Sequence, residues 1–142
     1  MILDKVLMFS DAQGITAAAA SDNYVDFGAT KDLGLGENLY IAINVDVAFT
    51  DGGSDSTLTV AIQTDTDPAF GSAVTQSVLT IPALAPIGAA YFVGIDPGVI
   101  AERYVRLYYT PNSGNLTTGS LTATIAKDIQ KQVIYPKGYT IV

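Results

Sequence analysis

Between Leu39 and Phe49 every second residue is large and apolar: Leu39, Ile41, Ile43, Val45, Val47 and Phe49. Tyr40, Asn44 and Asp46 stand on the intervening positions. Side chains of a strand alternate between two faces, whereas a helix returns to one face about every 3.6 residues. A period of two sustained this long specifies a strand with one face buried, and it leaves no apolar stripe for a helix.

The same period recurs along the chain. Leu58, Val60 and Ile62 alternate with Thr57, Thr59 and Gln63, and Val105, Leu107 and Tyr109 alternate with Arg106 and Tyr108. Leu121, Ala123 and Ile125 alternate with Thr122 and Thr124. Asn23–Phe27, Val74–Ile81 and Ala89–Ile95 are shorter strand candidates. β-Branched residues are frequent in these runs and fit a pleated, half-covered surface. Turn chemistry separates them: Gly34-Leu35-Gly36, Asp51-Gly52-Gly53-Ser54, Asp65-Thr66-Asp67-Pro68, Asp96-Pro97-Gly98 and Pro111-Asn112-Ser113-Gly114-Asn115. Gly and Asn tolerate positive φ there, and Pro presets the first turn position. No stretch of a dozen residues holds a helical period. Ala17–Ala20 reads as one helical turn or as a packed loop, and Ala101–Arg103 as a short helical turn. The expectation is an all-β chain, an antiparallel sandwich or barrel of about eight strands.

At 142 residues this is one domain's worth, 1–142, with no internal repeat or linker. Two apolar segments fall outside the alternation and are expected as arms: an N-terminal arm over 1–20 and a C-terminal arm over 129–142. They carry Ile2, Leu3 and Val6 at one end and Val133, Ile134, Tyr135, Tyr139 and Ile141 at the other. Chain ends are ordinarily polar and frayed. The C-terminal tail therefore has two destinations, its own sheet or a neighbouring subunit. The opening residues do not read as a signal peptide, and no apolar run reaches the roughly 20 residues of a membrane-spanning helix.

Composition removes most chemistry. With no cysteine and no histidine, thiol catalysis, disulfides, the usual zinc ligands and the common nucleophile–base pairs are excluded. Net charge is −7. Residues 1–96 hold 12 acids against Lys5 and Lys31, giving −10; residues 97–142 hold Glu102 and Asp128 against 5 bases, giving +3. An acidic chain repels phosphate backbones, so no nucleic-acid partner is expected. Charged residues make up only 15%, well below the usual share of about 25%, which predicts a surface covered by copies of the chain or by a partner.

Three functional chemistries remain. Asp65 and Asp67 are the nearest thing to a carboxylate pair for glycoside hydrolysis, but they sit in a Pro-containing turn that Asx hydrogen bonding explains. Asp51, Ser54 and Asp55, or Asp65 and Asp67, offer oxygen donors of the kind calcium takes, without EF-hand spacing; solvated hairpin turns account for them more simply, and no metal or cofactor is expected. Tyr104, Arg106 and Tyr108 share the strand face opposite the core. Tyr and Arg in that arrangement fit a protein interface, or else ordinary cross-strand pairing on a wet sheet.

Met1-Ile2-Leu3-Asp4, then Phe9-Ser10-Asp11-Ala12-Gln13 with Thr16-Ala17, resembles the opening of the small capsid decoration, or cement, proteins of tailed phages. The likeness continues through Asp26-Phe27-Gly28, Gly36-Glu37-Asn38-Leu39-Tyr40, the strand to Phe49-Thr50, and Leu58–Asp65. It resumes at Arg103–Tyr109 and Gly119–Ile125. The resemblance implies a jelly-roll sandwich without enzymatic activity. It implies dimers or trimers, made in the host cytoplasm and seated on the outer surface of the virion head across junctions of the major capsid protein. Ile2, Leu3, Val6, Tyr104, Arg106, Tyr108, Val133, Ile134, Tyr135, Tyr139 and Ile141 are then the candidate interface residues. A lectin-like or receptor-binding jelly roll on a virion is the alternative, and a carboxylate glycosidase a third reading.

Overall fold

In the computed structural model, residues 4–28, 39–95 and 102–127 are described. A 3-10 turn over Lys5–Leu7, capped by the Asp4 carboxylate accepting from the Val6 amide, leads into the first strand. Nine strands follow: β1 (Met8–Gly14), β2 (Ala19–Ala20), β3 (Val25–Asp26), β4 (Leu39–Thr50), β5 (Leu58–Asp65), β6 (Val74–Ile81), β7 (Ala90–Ile95), β8 (Tyr104–Pro111) and β9 (Thr118–Lys127). All pairings are antiparallel. One sheet runs β1-β9-β4-β7; the other runs β2-β8-β5-β6, with β3 also on β8.

Since β5 occupies one side of β8 along its whole length, β2 and β3 lie end to end on the other side, as one interrupted strand. Counted so, the pairs nest: β1 with β9, β2/β3 with β8, β4 with β7, and β5 with β6. This is a long hairpin rolled over on itself, closed by β4–β9 and β5–β8, and it makes the sandwich a jelly roll. The inner faces of both sheets supply one core. Phe9, Ile41, Ile43, Val45, Phe49 and Leu121 come from the first; Leu58, Val60, Ile62, Leu107 and Tyr109 come from the second.

The alternation read in the sequence holds with one exception. Val47 is turned out and exposed, because the pairing of β4 with β9 slips on either side of it, from Val45↔Leu121 to Val47↔Ser120 and then to Thr50↔Thr118. Each slip places an extra residue on β4, and a bulge reverses the facing of what it carries. Two segments differ from expectation. The stretch expected as an N-terminal arm is largely built in: Met8–Gly14 is an edge strand with Met8, Phe9 and Ser10 buried, although two bulges conceal its period. Ala19–Ala20 is neither helix nor loop but a short strand on Tyr108 and Tyr109. Glu102 and Arg103 form a bend rather than a helical turn. The turns at Gly34–Gly36 and Asp96–Gly98, and the C-terminal arm, lie outside the described residues. Among the described residues no helix is long and apolar enough to cross a membrane.

Candidate functional site

Strand β8 alternates without a slip. Val105, Leu107 and Tyr109 are fully buried, which turns Tyr104, Arg106 and Tyr108 to the outer face of the second sheet. Their partners on β5 are Asp65, Gln63 and Ala61 in that order. The small Ala61 side chain leaves room beside Tyr108. Arg106 donates from Nε to Gln63 Oε1 at 2.9 Å, which fixes the guanidinium along the sheet.

The segment after β5 then folds back over this face. Asp65 accepts from the Asp67 and Ser72 amides, at 3.0 and 2.9 Å, and Asp67 accepts from the Ala69 amide at 2.8 Å. These backbone donors, Asp67 first, hold the Asp65 carboxyl below its ordinary range. Both Asp65 oxygens are thus engaged by its own turn, the Asx role expected for it, rather than pointed at a ligand. In the other acidic turn Asp51 Oδ2 accepts from the Gly53 and Asp55 amides. Phe70 closes the fold-back in the left-handed region, φ 54, a conformation unfavourable for a bulky residue. Burial of its ring, with the Arg106 guanidinium 4.4 Å from its centroid, offsets that cost.

The stack continues on both sides. Arg106 lies 5.5 Å from the Tyr108 ring, and Arg103 lies 5.0 Å from that of Tyr104. Tyr24 meets Phe70 and Tyr104 edge-on, at 6.1 and 5.5 Å between centroids. Arg103 also clamps Asp26 with two bonds, 2.7 and 2.8 Å, tying β3 to the start of β8. The outer face is therefore a packed layer of four rings and two guanidiniums.

Of the sequence-predicted site residues, Tyr104, Arg106 and Tyr108 are brought together here. Val6 is exposed on the opposite sheet's entry turn. Ile2, Leu3, Val133, Ile134, Tyr135, Tyr139 and Ile141 lie outside the described residues. Sequence reasoning missed Phe70 and Tyr24. The available signal was a lone aromatic inside each polar turn, Asp67-Pro68-Ala69-Phe70-Gly71 and Asp22-Asn23-Tyr24.

The Asp26 carboxyl, bonded by Arg103 and by the Gly28 amide, is lowered from 3.8 to about 2. A depressed folded-state value stabilises the fold fully above pH 4 and loses that contribution as pH falls towards 2. Asp26→Asn is therefore expected to lower the melting temperature at pH 7 and to make little difference at pH 2. Thermal melts of both proteins across that range check it.

The fold and this face define a jelly-roll sandwich carrying a preassembled aromatic–arginine surface. Residues 9–125 match the Bbp16 family, and the chain belongs to that family. It is a phage-associated protein. No curated protein matches the sequence. Among solved structures, the chain is similar to the crystal structure of PBSX exported protein XepA, with a TM-score of 0.48 and 12% identity. That similarity covers 95% of this chain, which spans 41% of the other.

Proposed function

We propose that this chain is a structural virion protein, a cement protein that binds the outer surface of a phage head across junctions of the major capsid protein and stabilises the shell. Membership of a phage-associated family and the resemblance of its sequence phrases to those of decoration proteins support the reading. The observation that carries it is the Tyr104–Arg106–Tyr108 face. Tyr and Arg dominate the energetics of protein interfaces, and these are already held in place by Gln63 and Phe70, so docking orders few side chains. Val6 and the apolar chain ends add contact area.

The work is done by linkage. A protein that binds only the assembled lattice lowers its free energy at every site, and many sites multiply a modest term. Glycan recognition is the weaker reading, because the rings here are spent on one another and on the two arginines.

The test is binding of the purified chain to purified, undecorated shells. Saturable binding with a raised shell melting temperature is expected. Arg106→Ala is expected to weaken binding by at least about fivefold, the scale of an interface residue costing above 1 kcal/mol, while the chain stays folded. A wild-type chain that leaves shells bare, or an Arg106→Ala chain that binds as well as wild type, would contradict the reading.

A further inference from the structure

The two arginines on the outer face of the second sheet differ in how they are neutralised. Arg103 meets a carboxylate within the chain, its Nε and Nη2 donating to the two oxygens of Asp26. That is the sole ion pair among the described residues. Arg106 has no such partner. The residue opposite it in the β5–β8 ladder is Gln63, whose Oε1 accepts from Nε, the sole hydrogen bond of the Arg106 side chain among the described residues. The one acid of β5, Asp65, is turned to its own loop, with one oxygen on the Asp67 amide and the other on the Ser72 amide.

Glutamate has the shape of glutamine, and at position 63 it would pair across the strands with Arg106 and neutralise it. The amide instead orients the guanidinium and leaves its charge in place. The Phe70 ring lies 4.4 Å from the same group, and the side chain is half-buried. A planar guanidinium fixed at Nε and stacked on a ring keeps one edge open. That edge, the Nη1–Nη2 fork, matches the two oxygens of a carboxylate.

We propose that the Arg106 fork receives one Asp or Glu carboxylate of the shell protein, an inference that rests on the docking reading above. Covering this face removes water from the guanidinium. A charge buried without a counter-charge is strongly unfavourable. Asp26 and Asp65 are both engaged elsewhere, so the acid comes from the partner. A phosphate is the other anion such a fork fits, but a chain at −7 is repelled by the many charges of a nucleic acid or an anionic lipid surface. A single carboxylate on a protein surface meets the fork without that opposition.

Gln63→Glu tests this on purified shells, because it supplies the competing carboxylate from within the chain. Glutamate accepts from Arg106 Nε as glutamine does, so the fold is kept, and circular dichroism checks that it is. Shell binding is expected to weaken at least about tenfold, since the fork is neutralised and a like charge faces the incoming acid. Ser113→Glu adds the same charge in the exposed turn beyond β8 and is the control, expected to bind within about twofold of wild type. Carboxyl footprinting with a carbodiimide and glycinamide supplies a measurement on the wild-type chain: a shell Asp or Glu must lose reactivity when the chain binds. Should Gln63→Glu not fold, the footprint decides. A folded Gln63→Glu chain that binds as tightly as wild type overturns the proposal, as does bound wild type that protects no shell carboxyl. In either case a loss of binding in Arg106→Ala leaves the docking reading standing. An equal loss from Ser113→Glu also overturns the proposal, because general repulsion then accounts for the effect. Wild type that leaves shells bare removes the docking reading and this inference together.

Discussion

Gly119→Ala is expected to destabilise the fold by about 3–5 kcal/mol, the sum of overpacking a full core and straining the backbone. In a chain of this size that lowers the melting temperature by roughly 10–15 °C. Gly119 sits in β9 at φ 143, which side chains other than glycine rarely adopt. A methyl group added there would overlap the Phe49 ring, with even its Cγ only 2.8 Å away. Phe49 has nowhere to go, being almost wholly buried at 2% exposure in the core of the jelly roll. The carbonyl of Gly119 also accepts from the Ile15 amide, so the backbone is held from the β1 side. Shrinking the obstructing ring should recover part of the loss. Phe49→Leu/Gly119→Ala is expected to be more stable than the sum of its single variants, by a coupling of about 1 kcal/mol or more. Urea melts of the four proteins check both statements. A Gly119→Ala cost under about 1 kcal/mol would mean that the ring is not seated on the glycine.

This region also marks where the sequence stops being legible. The periods at Leu39–Val45, Leu58–Ile62 and Val105–Tyr109 lie in unbroken ladders, where pleat alone decides facing, and each reads correctly. Val47 reads as core and is not, because the bulges around it are set by β9 and Gly119, more than 70 residues later in the sequence. β1 is invisible for the same reason: its two slips against β9 leave Met8, Phe9 and Ser10 buried in succession. The two-residue strands β2 and β3 are too short to show any period. In the candidate site, the outward facing of Tyr104, Arg106 and Tyr108 follows from local alternation. Their cover does not, since Phe70 reaches Arg106 through a turn built by Asp65 and Asp67, and Tyr24 arrives from the other end of the chain. Local composition can identify such a turn but not the face onto which it folds.

The second large effect concerns the polar contact that joins the sheets. The Tyr109 hydroxyl of β8 meets Ser10 Oγ of β1 at 2.7 Å in the buried interior. Ser10 Oγ donates to Gln13 Oε1 at 2.6 Å, so the Tyr109 hydroxyl is the donor in their shared bond. Gln13 is satisfied in turn by the Asp22 amide and by the Ala20 carbonyl. The order of donors predicts an asymmetry. Ser10→Ala leaves a buried phenol without an acceptor and is expected to cost about 2–3 kcal/mol. Tyr109→Phe removes the donor and leaves Ser10 still bonded to Gln13, at an expected cost of about 1 kcal/mol. The double variant, with no stranded hydroxyl, is then expected to be no less stable than Ser10→Ala alone. Burial raises the Tyr109 hydroxyl above its ordinary value of 10.0. Its neutral form is thus favoured in the fold, and stability that is complete below pH 10 is lost as pH rises beyond it. Tyr109→Phe should flatten that alkaline decline relative to wild type. Equal costs for the two single variants, or an unchanged alkaline limb, would show that the contact does not join the sheets through a donated phenol proton.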